Sequence, residues 1–457
     1  MGSLGVSNIN DVEAFFAKHP HIPFLTPSSP GYRELRAAYI KDSPTTPLGI
    51  ARPRTAEDVA AIVTFATAKG VQFSVRTGGH DLFGRSFVDG ALAIDMRDLA
   101  YVQLGDDRET ARIGGGTLAI AVADALSREG VATPLGSFPT VGFVGWATLG
   151  GYGPLAPNYG LGVDQIVAAR IVNAEGRVVD AVVDVLFALR GGGGALGVVV
   201  ELTVKVYPLK NVLAGMILFR SADVNSTLRG FLGHLNAMRD QGLPPQLGIQ
   251  PSVVNTPQGK SLVVAFMWSS DDLETGHAYL KHITDFGPVL HHDVAAKSIA
   301  QWLTISGEVP PSSCYGATCS VRVRKQSDEV VAVLTRMLDS MPDDPAALLC
   351  VHEVRGPSAQ SRDDSVFAAR EAHFLIECIG TASTPGRAEE TWTWALQLKN
   401  ALRQTSKGNL LPGDYVSLTP PSQLNYAEVY GEHWPRFKDI KARYDPRNVF
   451  RNAIVKF

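Results

Sequence analysis

Hydrophobic residues along this chain change period several times, and each change predicts an element. Val59, Ile62, Val63 and Ala66 recur at helical spacing over residues 54–70, with Thr55 and Asp58 as a capping-box-like start and Gly70 as the stop. Val71 to Arg76 then alternates as a strand and runs straight into Thr77-Gly78-Gly79-His80. Leu92 to Asp95 and Thr110 to Ile113 read as short strands, the second ending in Gly114-Gly115-Gly116. Thr117 is then expected to cap a helix through Arg128, closed by Gly130. Ile166 to Asn173 and Arg177 to Val182 predict a hairpin about Ala174-Glu175-Gly176, and Asp184 starts a short helix, Val185 to Arg190. After four glycines, Val198, Val200, Leu202, Val204 and Val206 alternate with Glu201, Thr203 and Lys205, the pattern of a half-buried strand.

Near residue 210 the texture changes. Strand-like stretches (213–219, 246–254, 261–268) alternate with helical ones (226–239, 272–286, 328–341), and the glycine clusters vanish. That predicts an antiparallel sheet with helices. From 409 onward Gly, Pro and aromatic punctuation returns, with a basic amphipathic helix near Trp434 to Tyr444. The 457 residues therefore divide into 1–210, 211–408 and 409–457, an α+β chain of two intimately packed domains.

Composition changes this picture in three places. Net charge is −3 with no basic block, which argues against a nucleic-acid partner. No run of 18 apolar residues is present, so no spanning helix and no membrane partner are expected. Met1 to Asn10 lacks a basic and an apolar region, and Val6 stands where myristoylation wants Ser or Thr, so a cytoplasmic location is expected. Cys314, Cys319, Cys350 and Cys378 lack metal-type spacing and read as buried thiols.

The 44 glycines cluster, and the clusters carry the candidate chemistry. In Arg76-Thr77-Gly78-Gly79-His80, two glycines at a strand end let the backbone crowd a planar or phosphate ligand. The following histidine is a neutral nucleophile suited to covalent attachment to an electrophilic ring; a turn-closing histidine is the alternative. Gly114-Gly115-Gly116 is either a second anion site or a tight turn. Neither a dinucleotide fingerprint nor a Walker loop occurs. Five glycines fall between Gly142 and Gly153, which argues against a helix and for main chain lining a long cofactor. Val141, Phe143, Trp146 and Leu149 among them are too apolar for a surface loop.

Five motifs stand in order: Arg76 to His80, Ala91-Leu92-Ala93-Ile94-Asp95, Pro139-Thr140-Val141-Gly142, Tyr159-Gly160-Leu161-Gly162-Val163-Asp164, and Leu186-Phe187-Ala188-Leu189-Arg190. Together they resemble the FAD-linked oxidases of the vanillyl-alcohol oxidase superfamily, in the berberine-bridge-enzyme-like and 6-hydroxy-D-nicotine-oxidase-like branch. Lys441 to Phe450 resembles that branch's closing motif, and Gly150 to Leu155 looks most like its fungal members. The likeness implies a two-part FAD-binding domain of PCMH type (1–210), a substrate-binding domain (211–408) whose antiparallel sheet is covered by helices, and a segment (409–457) returning to the first. It implies that His80 is the covalent 8α-histidyl link to FAD. The amides around Arg76, Thr77, Gly78, Gly79 and Asp81 would cradle the pyrophosphate. Thr140, Val141, Gly142, Gly145, Gly150, Gly151 and Gly153 would line the rest, with Val198 near the adenine side.

Three departures matter. Phe138 stands where members with two covalent bonds carry a cysteine, so FAD is expected to be monocovalent through His80. The loop before Asp184 is shorter than usual. Gln423 stands where relatives have a tyrosine base, which leaves Tyr430, Tyr426 and His433 as substitutes. The implied reaction is hydride removal from a C–OH or C–N carbon of a small aromatic or polyketide- or alkaloid-like metabolite, with O2 as acceptor. A redox-neutral cyclase is the alternative. No metal is expected: in His291-His292-Asp293 adjacent side chains point in different directions. His352 and Glu353 lie on opposite faces of a strand, so one of them can line a substrate cavity, with Arg355, His373 and Glu377 as weaker candidates.

Overall fold

The computed structural model describes residues 9–41, 45–308 and 311–457. Its first sheet orders the strands Phe24–Leu25, Gly49–Ala51, Leu92–Asp95 and Phe73–Arg76, the last three parallel. The helix Ala56–Lys69 links 49–51 to 73–76, with the Thr55–Asp58 capping box formed and Gly70 left-handed at its end. A second, antiparallel sheet runs Val102–Leu104, Thr110–Gly114, Val198–Lys205, Ile166–Val172, Val178–Asp180. Its middle strand is buried on both faces rather than half-buried. Val198 and Val200 pack toward the 56–69 helix, while Val199, Leu202 and Val204 enter the core that holds the Ala119–Arg128 helix.

The third sheet has eight strands and is antiparallel. Its order is Val289–His292, Val212–Phe219, Gly259–Trp268, Leu247–Thr256, Ala347–Val354, His373–Ala382, Tyr315–Val323, with Ala295–Lys297 paired onto 212–219. One face carries Leu247, Ile249, Leu349, Val351, Phe374, Ile376, Cys378, Cys319 and Val321 against the helices Val224–Asp240, Asp328–Leu338 and Ala388–Arg403. The other face turns toward the glycine-rich half: Leu375 and Val354 pack with Tyr152, Phe367 and Tyr415, and Gly248 admits the Pro154 carbonyl. The C-terminal helices Tyr426–Tyr430 and Trp434–Tyr444 lie on Val183–Gly192, where Lys441 donates to the Ala195 carbonyl. Mixed helices and antiparallel sheets make this the expected α+β fold. Among the described residues no helix is long and apolar enough to cross a membrane.

Three local expectations change. Thr117 does not cap the 119–128 helix, because its hydroxyl is exchanged with the Tyr101 backbone and Leu118 takes the cap position. Phe143–Thr148 is helical, since the glycines flank that turn and only Gly145 falls inside it, while Phe143, Val144 and Ala147 are buried. Gly114-Gly115-Gly116 is no anion site: its amides donate to Tyr101, Val200 and Leu99 carbonyls. A Cβ on Gly116 would lie 1.7 Å from the Met96 carbonyl oxygen. Gly116→Ala is therefore expected to lower stability by roughly 1–3 kcal/mol or more, read from the urea midpoint; an unchanged midpoint would show that the Met96 turn yields freely.

Candidate active site

The loop after the 73–76 strand is shaped by its own side chains. Arg76 is buried, donates to the carbonyls of Leu35 (2.6 Å) and Ala37 (2.7 Å), and faces Asp95 at 3.6 Å. Gly79 has φ +74 and presses on that guanidinium, where a Cβ would come within 2.8 Å of Nε. Asp81 accepts from the Arg85 amide and Nε, so it closes the loop on itself. Thr77 donates to the Gly115 carbonyl at 3.2 Å. What remains free is main chain: among the described residues the amides of Gly78, Gly79, His80 and Asp81 donate to no protein acceptor. Converging free amides of this kind suit an anionic group.

His80 leaves this loop half-buried. Its Nε2 lies 2.6 Å from the Thr140 hydroxyl, Tyr39 stacks on the ring at 4.5 Å, and Phe138 meets it edge-on at 5.8 Å. Burial, helped by the Arg76 charge, pulls its pKa down to about 4, so the imidazole is neutral at neutral pH.

The glycines of the 140–153 run divide into two kinds. Gly78 and Gly142 meet main chain to main chain, a Cβ on the first lying 2.3 Å from the nitrogen of the second. The Val141 carbonyl accepts from Ala119. Gly150 packs on Phe367 and Tyr415, Gly151 donates its amide to the Tyr415 hydroxyl (3.3 Å), and Gly153 abuts the Leu135 carbonyl. Gly145 alone of these faces open space. The Val198 side chain is spent in the core beside Val172.

The inner face of the eight-stranded sheet supplies polar groups at every second residue: Gln250, Ser252, Ser320, Arg322, Cys350, His352 and Glu377. Register sets Cys350 directly opposite Glu377. His352 Nε2 lies 3.0 Å from Glu377 Oε2 and 3.7 Å from Cys350 Sγ. Gln250 donates to Cys350 Sγ at 2.9 Å and reaches Ser137, next to Phe138, at 3.5 Å. Tyr152 turns its edge to His352, meets Tyr415, and bonds His373 Nε2 at 3.1 Å. The Glu377 charge reaches both Tyr39, which stacks on His80, and Tyr415, which packs on Gly150. Burial disfavours charge on His352, yet Cys350 and Glu377 beside it outweigh burial and raise it to about 10. His373 goes the other way, to about 3, through burial and Arg322.

Glu353 points to the opposite face and pairs with Arg239 (2.9 Å) and Arg355 (3.3 Å), away from the cavity. Asp293 accepts from the Met216 amide and Lys297. Tyr430 is buried and donates to the Gly191 carbonyl, and Tyr426 donates to that of Ile454, each at 3.1 Å. Burial raises both phenols. His433 packs edge-on against Phe187. Gln423 is exposed and accepts from Lys399, so it lies outside this group. The phenol at the glycine run is Tyr415. Tyr39, Tyr152, Tyr415, Gln250 and Cys350 were not singled out from the sequence. The alternation Cys350-x-His352 in an apolar strand is a signal that could have found that face.

A model of the FAD binding domain matches residues 47–181, and one described as berberine and berberine like matches 422–454. The FAD-linked oxidoreductase aurO of Gibberella zeae is 31% identical over 94% of this chain and 85% of its own length. The (R)-6-hydroxynicotine oxidase of Paenarthrobacter nicotinovorans is 28% identical over 88% of this chain and 89% of its own. The structure of 6-hydroxy-D-nicotine oxidase from Arthrobacter nicotinovorans superposes with a TM-score of 0.84 at 25% identity, covering 95% of this chain and 97% of that one. Glucooligosaccharide oxidase of Acremonium strictum, with its 6-S-cysteinyl, 8α-N1-histidyl FAD, shares the fold at TM-score 0.84 and 19% identity, covering 98% of this chain and 100% of that one. The match to the FAD binding domain and these relatives define a flavoenzyme. The chain belongs to the FAD-linked oxidoreductases, in the berberine-bridge-enzyme-like branch. The redox-neutral cyclase alternative is not favoured by these relatives.

In protein not yet loaded with flavin, the His80 resonances are expected to titrate with a midpoint near 4 by NMR of labelled histidine; a midpoint near the free value of about 6.5 would refute the burial argument. As pH falls the unfolded chain takes the proton first. The His80 contribution to stability therefore declines between about 6.5 and about 4 and is level outside that window.

Proposed function

We propose that this chain holds FAD through one covalent bond from His80 and oxidises a small organic molecule at a C–OH or C–N carbon, with O2 as the final acceptor. The observation that carries the reading is His80 itself, neutral and pinned by Thr140 at the mouth of a loop whose amides are free. Nε2 is engaged by the Thr140 hydroxyl, which leaves Nδ1 as the nitrogen free for attachment. Phe138, edge-on to His80, offers no sulfur for a second bond. The amides of residues 78–81 and the open face at Gly145 suit the pyrophosphate and the body of FAD. When bound, FAD supplies a two-electron acceptor for the substrate carbon.

The chain's own part is to place the substrate and take its heteroatom proton. Tyr39, Phe138 and Tyr152 offer aromatic walls, which favours an aromatic substrate. Glu377, paired with His352, is the best-placed proton acceptor: a partly exposed carboxylate on the polar face of the sheet. Tyr430 and Tyr426 have their hydroxyl protons committed to backbone carbonyls and phenols shifted upward.

Intact mass after acid denaturation should retain FAD in the wild type and lose it in His80→Ala; noncovalent release from the wild type would end the attachment reading. Anaerobic addition of candidate aromatic alcohols or amines should bleach the visible band, with recovery in air. Glu377→Gln should keep flavin yet slow that bleaching by ~10²–10⁴-fold, while Tyr430→Phe stays within a few-fold; the reverse pattern would return the base to the C-terminal helix.

A further inference from the structure

Cys350, His352 and Glu377 do not form a relay. A nucleophilic triad uses both imidazole nitrogens, one toward the sulfur and one toward the carboxylate. Here a single nitrogen, Nε2, faces both Cys350 Sγ (3.7 Å) and Glu377 Oε2 (3.0 Å). All three ligand atoms lie within 4.8 Å of one another. Tetrahedral Zn²⁺ with bonds of about 2.3 Å to sulfur and about 2.0–2.1 Å to nitrogen and oxygen separates such atoms by about 3.5 Å (S to N) and about 3.3 Å (N to O). The S-to-N and N-to-O spacings differ from these by a few tenths of an ångström, and the S-to-O pair, within 4.8 Å, closes to about 3.5 Å when the ion binds.

We propose that Cys350, His352 and Glu377 form a binding site for Zn²⁺ on the sheet face of the active-site cavity. Two ligands come from alternate residues of one strand and the third from the register partner on the next, so the sheet itself presets their spacing. Gln250 holds the sulfur from outside at 2.9 Å, the supporting contact such sites require. Cys350 is buried, while the side chains of His352 and Glu377 keep 17% and 14% of their surface, which leaves a path in from the cavity. Three protein ligands leave the fourth tetrahedral position open toward the substrate space. Resting on the reading of Glu377 as proton acceptor, bound Zn²⁺ blocks substrate oxidation by occupying that carboxylate.

The test is Zn K-edge absorption on the flavin-loaded enzyme dialysed with one equivalent of Zn²⁺. One sulfur at about 2.3 Å with nitrogen and oxygen at about 2.0–2.1 Å is expected. In Cys350→Ser the sulfur should vanish and affinity by calorimetry fall at least tenfold. Glu377→Gln should keep the sulfur and also weaken binding, which guards against a folding defect in the first variant; the flavin band and melting temperature check both. A wild-type shell without sulfur, or a sulfur that survives in Cys350→Ser, overturns the site. Zn²⁺ bound through sulfur with anaerobic bleaching unimpaired would sustain the site and instead remove Glu377 as proton acceptor.

Discussion

Everything at the candidate site depends on one contact of main chain on main chain, Gly78 against Gly142. A Cβ on either residue would enter the other's backbone, so both positions must be bare for the two loops to close. That closure sets His80 beside Thr140, because each lies two residues from its glycine, His80 after Gly78 and Thr140 before Gly142. It also frees the amides of 78–81 from any protein partner, since the loop is held by side chains instead: Arg76 from beneath and Asp81 with Arg85 from the far end. The loop is thus rigid without spending its own donors, which is what preorganised anion binding requires.

The second half of the site comes from a sheet that reads as plain scaffolding along the chain. One face packs on helices with an apolar set interrupted by the Glu353–Arg239 pair; the other carries Gln250, Cys350, His352 and Glu377. Burying a His–Glu pair is costly unless the partners stay hydrogen-bonded, and here the 3.0 Å contact and the cross-strand register hold them so. The pair faces tyrosines on both sides, Tyr39 and Tyr415, whose phenols burial shifts upward and keeps neutral. Charge on this sheet face is therefore carried by Arg322, His352 and Glu377. The aromatic groups supply shape.

Much of the fold was legible because its elements announce themselves locally. The Thr55–Asp58 box, the 166–180 hairpin and the strands of the large sheet all carry their own period and stops. His80 was legible for the same reason, as the end of one strand followed by two glycines. What failed were inferences from glycine counts. Gly114 to Gly116 are bare because Leu99, Met96 and Val199 press on them, and the Phe143–Thr148 turn is helical because the glycines only flank it. The polar sheet face was illegible for a different reason. Cys350 and His352 show a period of two, but their meeting with Glu377 depends on strand pairing across 25 residues, which no local pattern encodes.

The reading of Gln423 shows the same limit from the other side. Taken alone, a glutamine at a tyrosine position suggests a site stripped of its aromatic hydroxyl. In the fold Gln423 belongs to a different network, completing the buried Lys399–Asp414 pair with its amide oxygen. The hydroxyl at the glycine run comes instead from Tyr415, which accepts the Gly151 amide. Gly150 has φ +137 and lies so close to Tyr415 and Phe367 that a side chain there would displace them. The glycine run therefore does double service: at Gly145 it leaves open space, and at Gly150 and Gly151 it seats Tyr415 and Phe367 beside the polar sheet face.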